Sequence, residues 1–139
     1  MAETVLVIDD DQDFLEATET LLDAMGFNVV TAASSSAAVE AVEKVTPDVI
    51  LLDVMMERAD SGFTLAQRFR RKPELAKTPI IMVTGVSEHL GHRYSLDTPQ
   101  ERQWIRADLL LEKPLRPEDL LGHIRQVLDQ AHENSAAHH

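Results

Sequence analysis

Five short stretches of this chain are apolar with little or no interruption: Val5–Ile8, Val29–Ala32, Val49–Leu52, Ile80–Val83 and Leu109–Leu111. A strand with one wet face alternates apolar and polar residues, so a continuous run implies cover on both faces, as in a parallel sheet. Parallel neighbours need long crossovers, and the segments between the runs have a helical period. "DFLEATETLLDAMG" sets Phe14, Thr18, Leu21, Leu22 and Met25 on one stripe, with Gly26 as its stop. "SSSAAVEAVEKV" opens with serines suited to capping and repeats Val39, Val42 and Val45. "GFTLAQRFRR" offers Phe63, Leu65, Ala66 and Phe69. "RPEDLLGHIRQVLDQA" starts at a proline and repeats Leu120, Ile124, Val127, Leu128 and Ala131. Strand and helix alternate throughout. The expected fold class is α/β, a doubly wound five-stranded parallel sheet with right-handed crossovers and helices on both faces. No repeat or linker interrupts the 139 residues, which read as one domain.

Charge narrows the function. Twenty-four acidic side chains against 13 basic ones give a net charge of -11, the wrong sign for a nucleic-acid-binding surface. The excess suits a divalent-cation site as well as plain solubility. The chain lacks cysteine, which excludes disulfides and thiolate metal sites. No apolar run has the length of a membrane span, and "MAETVLVIDD" lacks a basic region before its apolar run. A cytoplasmic protein without membrane contact is expected. "HENSAAHH", residues 132–139, is patternless and reads as a disordered, appended tail.

The chemistry collects where the strands end. The first runs into Asp9, Asp10 and Asp11, the third into Asp53, the fourth into Thr84 and the fifth into Lys113. In a parallel sheet these ends share one edge, where the crevice of a doubly wound fold forms. Carboxylates on adjacent loops make a hard-oxygen seat for Mg²⁺, and one of them can attack phosphorus. An ammonium and a hydroxyl suit the oxygens of a transferred phosphoryl group. Taken singly, three aspartates read as a cap-rich loop, Lys-Pro as a helix boundary and a threonine after a strand as a cap. Their conjunction at four strand ends favours the site.

The blocks "VLVIDDD", "DVILLDVMM", "IIMVTG" and "LEKPLRPEDLL" resemble, in order, the signature blocks of the receiver domains of two-component response regulators. The resemblance covers about residues 4–131 and implies a flavodoxin-like sheet of order 2-1-3-4-5. It implies Asp53 as phosphoacceptor and Asp9 and Asp10 as the acidic pair. Mg²⁺ would be held by Asp10, Asp53 and the backbone carbonyl of Met55, with Asp9 acting mostly through water. Thr84 would be the switch hydroxyl, Lys113 would pair with the phosphoryl group, and Pro114 would follow a cis peptide. Asp11 is left as the N-cap of the first helix. The expected partners are a histidine kinase or phosphotransfer protein and a downstream protein, with a homodimer as one expected active form. No nucleic acid is bound directly. The protein is expected to be no enzyme beyond its own phosphorylation and dephosphorylation. Signalling would pass through the family's fourth helix, fifth strand and fifth helix. With no second core or basic recognition helix, the chain reads as a stand-alone receiver.

Several positions depart from the family pattern. Glu57 replaces a proline in "DVMMERADSGF", which also has one residue more before Gly62, and Glu57 and Asp60 add charge. Leu110 takes the place of an aromatic residue coupled to the switch hydroxyl. The stretch from Thr84 to Lys113 is long, and its "TPQE" reads as a capping box for a helix over Pro99–Ala107 that carries Trp104. This insertion is expected to shape partner choice; His89 and His92 within it are a weak metal signal. In the family, the side chains two positions after the phosphoacceptor and two after the switch hydroxyl flank the path of the hydrolytic water. Here they are Met55 and Val86, which would offer it no hydrogen bond, so the resemblance implies a long-lived phosphoryl group. Two alternatives remain at this level: a receiver-fold adaptor that works without phosphorylation, and a haloacid dehalogenase-type phosphatase built on Asp9 and Asp11. The phosphatase reading lacks both a cap domain and the Thr or Val that such enzymes carry at the place of Asp13.

Overall fold

The computed structural model describes residues 3–53, 61–84, 109–112 and 117–137. The elements are β1 (Thr4–Ile8), α1 (Gln12–Ala24), β2 (Asn28–Ala32), α2 (Ser35–Lys44), β3 (Val49–Asp53) and α3 (Ser61–Arg70). A 3-10 turn (Pro73–Leu75), β4 (Ile80–Thr84), β5 (Leu109–Glu112) and α4 (Pro117–Ala137) complete them. All strand pairs are parallel, in the order β2-β1-β3-β4-β5. This is the doubly wound sheet expected from the five apolar runs. No helix among the described residues is long and apolar enough to cross a membrane.

The unbroken apolar runs are explained by two cores, one on each face. Even-numbered residues of β1, β3 and β4, among them Leu6, Ile50 and Met82, point into a core closed by Ala38, Val42, Ala66 and Phe69 of α2 and α3. Odd-numbered residues, Val5, Val7, Val49, Leu51 and Ile81, point into the other, closed by α1 and α4 through Leu22, Ile124 and Leu128. Side chains alternate across a strand, so a strand between two cores cannot carry a polar residue at either parity. Strand β2 lies at the sheet edge, and its outer positions Asn28 and Thr31 are exposed.

The helices differ from expectation in detail. Leu15, Thr18 and Leu22 form the buried face of α1; Phe14 and Leu21 are half-buried, and Met25 is 47% exposed. Met25 is the C-cap, past the last turn, where the chain turns toward Gly26. In α2 the buried positions are Ala38 and Val42, while Val45, the extended C-cap, is 37% exposed. A small residue at Ala38 lets the helix lie close to the sheet. Helix α4 runs to Ala137, past Ala131, so part of the expected tail at 132–139 is helical. Its apolar period stops, but alanines and Glu133 retain good helix propensity. The α3–β4 connection is fixed by Arg70, whose Nη1 donates to the carbonyls of Leu75, Ala76 and Thr78 at 3.1, 3.2 and 2.6 Å. The expected helix over 99–107, Trp104, His89, His92, Glu57, Asp60, Val86 and Pro114 all lie outside the described residues.

Two glycines carry opposite predictions. Gly26 has φ 94°, in the left-handed region that an L side chain resists. Gly122 lies exposed within α4, and a Cβ there would meet nothing within 4 Å. In urea melts Gly26→Ala should lower the unfolding free energy by about 1 kcal/mol, and Gly122→Ala should raise it by about 0.5–1 kcal/mol. The same sign for both would contradict the described backbone.

Candidate functional site

The sheet order reverses between β1 and β3: from β1 the chain winds outward to β2, and from β3 to β4 and β5. A crevice opens beyond the carboxyl ends of the strands at such a point. Asp9 leaves β1 there, and Asp53 closes β3 beside it. Asp9, Asp10 and Asp53 can bring one carboxylate oxygen each within 4.8 Å of the others. Asp9 is 1% and Asp53 4% exposed, whereas Asp10 faces solvent.

Two of the three consecutive aspartates have separate structural tasks. Asp9 Oδ1 accepts the backbone N–H of Asp11 at 2.9 Å and folds the loop back on itself. Asp11 Oδ1 accepts the N–H groups of Asp13 and Phe14 at 3.1 and 3.3 Å, capping α1 as the sequence suggested. Asp10 takes neither task and is left at the mouth of the crevice. The Asp9–Asp11 hydrogen bond was not read from sequence, although Asp commonly closes such a turn on the backbone two residues ahead.

Of the other expected site residues, Thr84 ends β4 one position after Val83, the register partner of Asp53. Its own partner is Glu112, the last residue of β5 and the one before Lys113. Backbone register therefore brings Thr84 and the end of β5 to the edge that holds Asp53. Lys113 and Met55 lie outside the described residues.

This donor set fits Mg²⁺. The ion takes oxygen ligands at about 2.1 Å in an octahedron, so opposite ligand oxygens stand about 4.2 Å apart. A spread of up to 4.8 Å accommodates two direct carboxylate ligands and a third reached through water. Without a cation, two buried carboxylates at this spacing repel on the order of 3 kcal/mol at an effective dielectric of about 20. The fold holds them together nevertheless.

A family model described as the response regulator receiver domain matches residues 5–125. This chain belongs to that family. The receiver is 33% identical over 129 residues to a probable transcriptional regulator, ycf27, of Pyropia yezoensis, a match covering 93% of this chain and 49% of that protein. It is 33% identical over 128 residues to the transcriptional regulatory protein GltR of Pseudomonas aeruginosa, covering 92% and 50%. The chain thus spans about half the length of the curated relatives it matches. The crystal structure of a CheY-like receiver domain protein from Methanospirillum hungatei superposes with a TM-score of 0.79 at 25% identity, covering 96% of this chain and 99% of that one. As a response regulator receiver the protein is a component of two-component signal transduction. Membership of this family leaves the phosphatase reading without support.

Thermal melts test the cation seat. Mg²⁺ at a hundredfold excess over its dissociation constant should stabilise the wild type by about 2.7 kcal/mol. Asp10→Ala should abolish most of that gain while leaving the metal-free melt close to wild type. Asp53→Asn should melt higher than wild type in chelator, because it removes one of two buried like charges. An undiminished Mg²⁺ response in Asp10→Ala would place the ion elsewhere.

Proposed function

We propose that the protein is a phosphoacceptor switch: Asp53 takes a phosphoryl group from a histidine kinase or phosphotransfer protein, in a unit spanning residues 4–131. The observation that carries this reading is the meeting of Asp9, Asp10 and Asp53 at the sheet's switch point. Three carboxylates crowded at one seat suit a cation, which offsets their repulsion.

The chemistry follows from placement. The Asp53 carboxylate is buried at the end of β3, a central strand that fixes its place beside Asp9. One of its oxygens forms the new bond to phosphorus as the P–N bond to the donor histidine breaks. The electron pair of that bond stays on the imidazole nitrogen. Asp9, Asp10, Asp53 and the carbonyl of Met55 would hold Mg²⁺. When bound, the ion supplies positive charge against the phosphoryl oxygens and offsets the repulsion among the carboxylates. Thr84 and Lys113 would bind the remaining phosphoryl oxygens, the hydroxyl by hydrogen bond and the ammonium by charge. Movement of these two groups toward the phosphoryl group would alter the neighbouring surface of the last strand and helix, where a downstream protein binds and where a homodimer forms on activation. Relatives named as transcriptional regulators support an output in transcription. The chain's strong negative charge argues that it does not itself hold nucleic acid.

Incubation with Mg²⁺ and phosphoramidate, followed by intact mass, tests the assignment. The wild type should gain one phosphoryl group; Asp53→Asn should gain none, and chelator should abolish the gain. An unmodified wild type that still binds Mg²⁺ would refute the phosphoacceptor role. The phosphoryl group should also decay slowly, since Met55 and Val86 offer the attacking water no hydrogen bond. Met55→Asn should shorten its lifetime by about tenfold, the effect of one added hydrogen bond of about 1.4 kcal/mol to the attacking water. A wild-type lifetime no longer than that of the variant would remove Met55 and Val86 from the account.

A further inference from the structure

Against a net charge of -11, one short segment is strongly basic. Residues 68–77 hold five of the thirteen basic side chains and one acidic one, Glu74. They form the end of α3 and the connection to β4, at the amino edge of the sheet. The five residues of β4, about 16 Å of strand, separate them from the edge that holds the acid cluster. Arg70 is spent internally, its Nη1 donating to the carbonyls of Leu75, Ala76 and Thr78. The backbone itself is tightly turned: the N–H groups of Lys72, Leu75 and Thr78 donate to the carbonyls of Phe69, Lys72 and Leu75 at 3.0, 3.0 and 3.2 Å. Phe69, Leu75 and Thr78 are buried and anchor the segment. Four bases remain on this fixed turn, Arg68, Arg71 and Lys77 exposed and Lys72 half-buried. Among the described residues no carboxylate pairs with any of them, although Arg125 finds Glu3 at 3.8 Å. Cations in the last turn of a helix suit its dipole, which accounts for Arg68 but not for Lys72 or Lys77, beyond the end of α3.

We infer that this basic turn docks an acidic segment of a partner protein. Arg68 and Arg71 present planar guanidinium forks that match carboxylates, and Lys72 and Lys77 add point charges beside them. Because the backbone that carries them is already fixed, binding orders side chains only. The rest of the molecule restricts the occupant. A long polyanion such as duplex DNA would meet the acidic excess beyond the turn, whereas a short acidic segment meets the bases alone. A membrane surface would need apolar side chains beside the bases, and residues 68–77 expose no large one. A second copy of the chain brings its own net charge of -11 against this one. The turn lies at the edge opposite Asp53, so the inference stands whether or not Asp53 is phosphorylated.

The test uses the full ¹⁵N-labelled chain and two synthetic peptides of about ten residues, long enough to span the turn. One is rich in glutamate and aspartate, and the other carries lysine at the same places. The acidic peptide should shift the amides of residues 68–77 along one saturable isotherm, and raising salt from about 50 to about 300 mM should weaken it about tenfold. Arg71→Gln combined with Lys77→Gln should weaken it at least about fivefold. Gln126→Glu combined with Gln130→Glu, an equal change of net charge placed on α4, should leave it within about twofold. All four positions are exposed, so each variant keeps the interior intact. Equal loss in both variants, equal binding of the lysine peptide, or shifts spread as much over α4 as over residues 68–77 would overturn the inference. Tighter binding of a DNA duplex or of anionic lipid vesicles than of the acidic peptide would overturn the assignment to a protein partner. So would self-association of the unliganded chain that Arg71→Gln with Lys77→Gln abolishes, since the occupant would then be a second copy.

Discussion

Burial of both faces of the two central strands is the condition on which the site depends. Asp9 and Asp53 sit close together because β1 and β3 are neighbours in register, and that register is enforced by Leu6, Ile8, Ile50 and Leu52 on one face and Val5, Val7, Val49 and Leu51 on the other. A slip of one residue would exchange the contents of the two cores and move one carboxylate out of the crevice. At roughly 25 cal/mol per Å² of apolar surface removed from water, side chains of this size contribute about 1.5–3 kcal/mol each. Several of them together exceed the repulsion of two carboxylates, so the cores can hold a charge arrangement that would not assemble by itself.

That balance accounts for the three aspartates after β1. One shapes the loop and one starts the helix, and the third, Asp10, is the one proposed to meet a cation; the chain uses adjacent positions because these places fall within the same turn. Asp9 and Asp11 spend lone pairs on backbone N–H groups, which fixes the loop before any ligand arrives. Asp10 is exposed, which leaves it accessible to an incoming ion.

Much of the fold was legible because its strands obey one simple rule. A strand between two cores must be continuously apolar, and each of the five runs became a strand extended by at most one residue at either end. The acid cluster was legible for a related reason: in a parallel sheet, residues that end strands must share an edge. The helix faces were less legible. In α1 the sequence offers Phe14 and Met25 as well as Leu15, and period alone does not decide which of several adjacent apolar residues turns inward. In α2 the valines outweigh Ala38 in hydrophobicity, yet close packing against the sheet favours the small residue. The Asp9–Asp11 hydrogen bond depends on the conformation of a single turn, which no periodic signal reports. The extension of α4 to Ala137 depends on local propensity rather than on burial.

The central claim is that the carboxylates that follow β1 and the one that ends β3 form one cation seat around Asp53, the proposed phosphoacceptor. A Mg²⁺ titration of the ¹⁵N-labelled protein addresses it directly, because each backbone amide reports separately. The account predicts that the amides of Asp9, Asp10 and Asp53 shift together along one saturable isotherm with a common dissociation constant, and that this common response disappears in Asp53→Asn. Shifts confined to the loop after β1, or an Asp53 amide that does not respond while Asp9 and Asp10 do, would show that the carboxylates bind no ion in common.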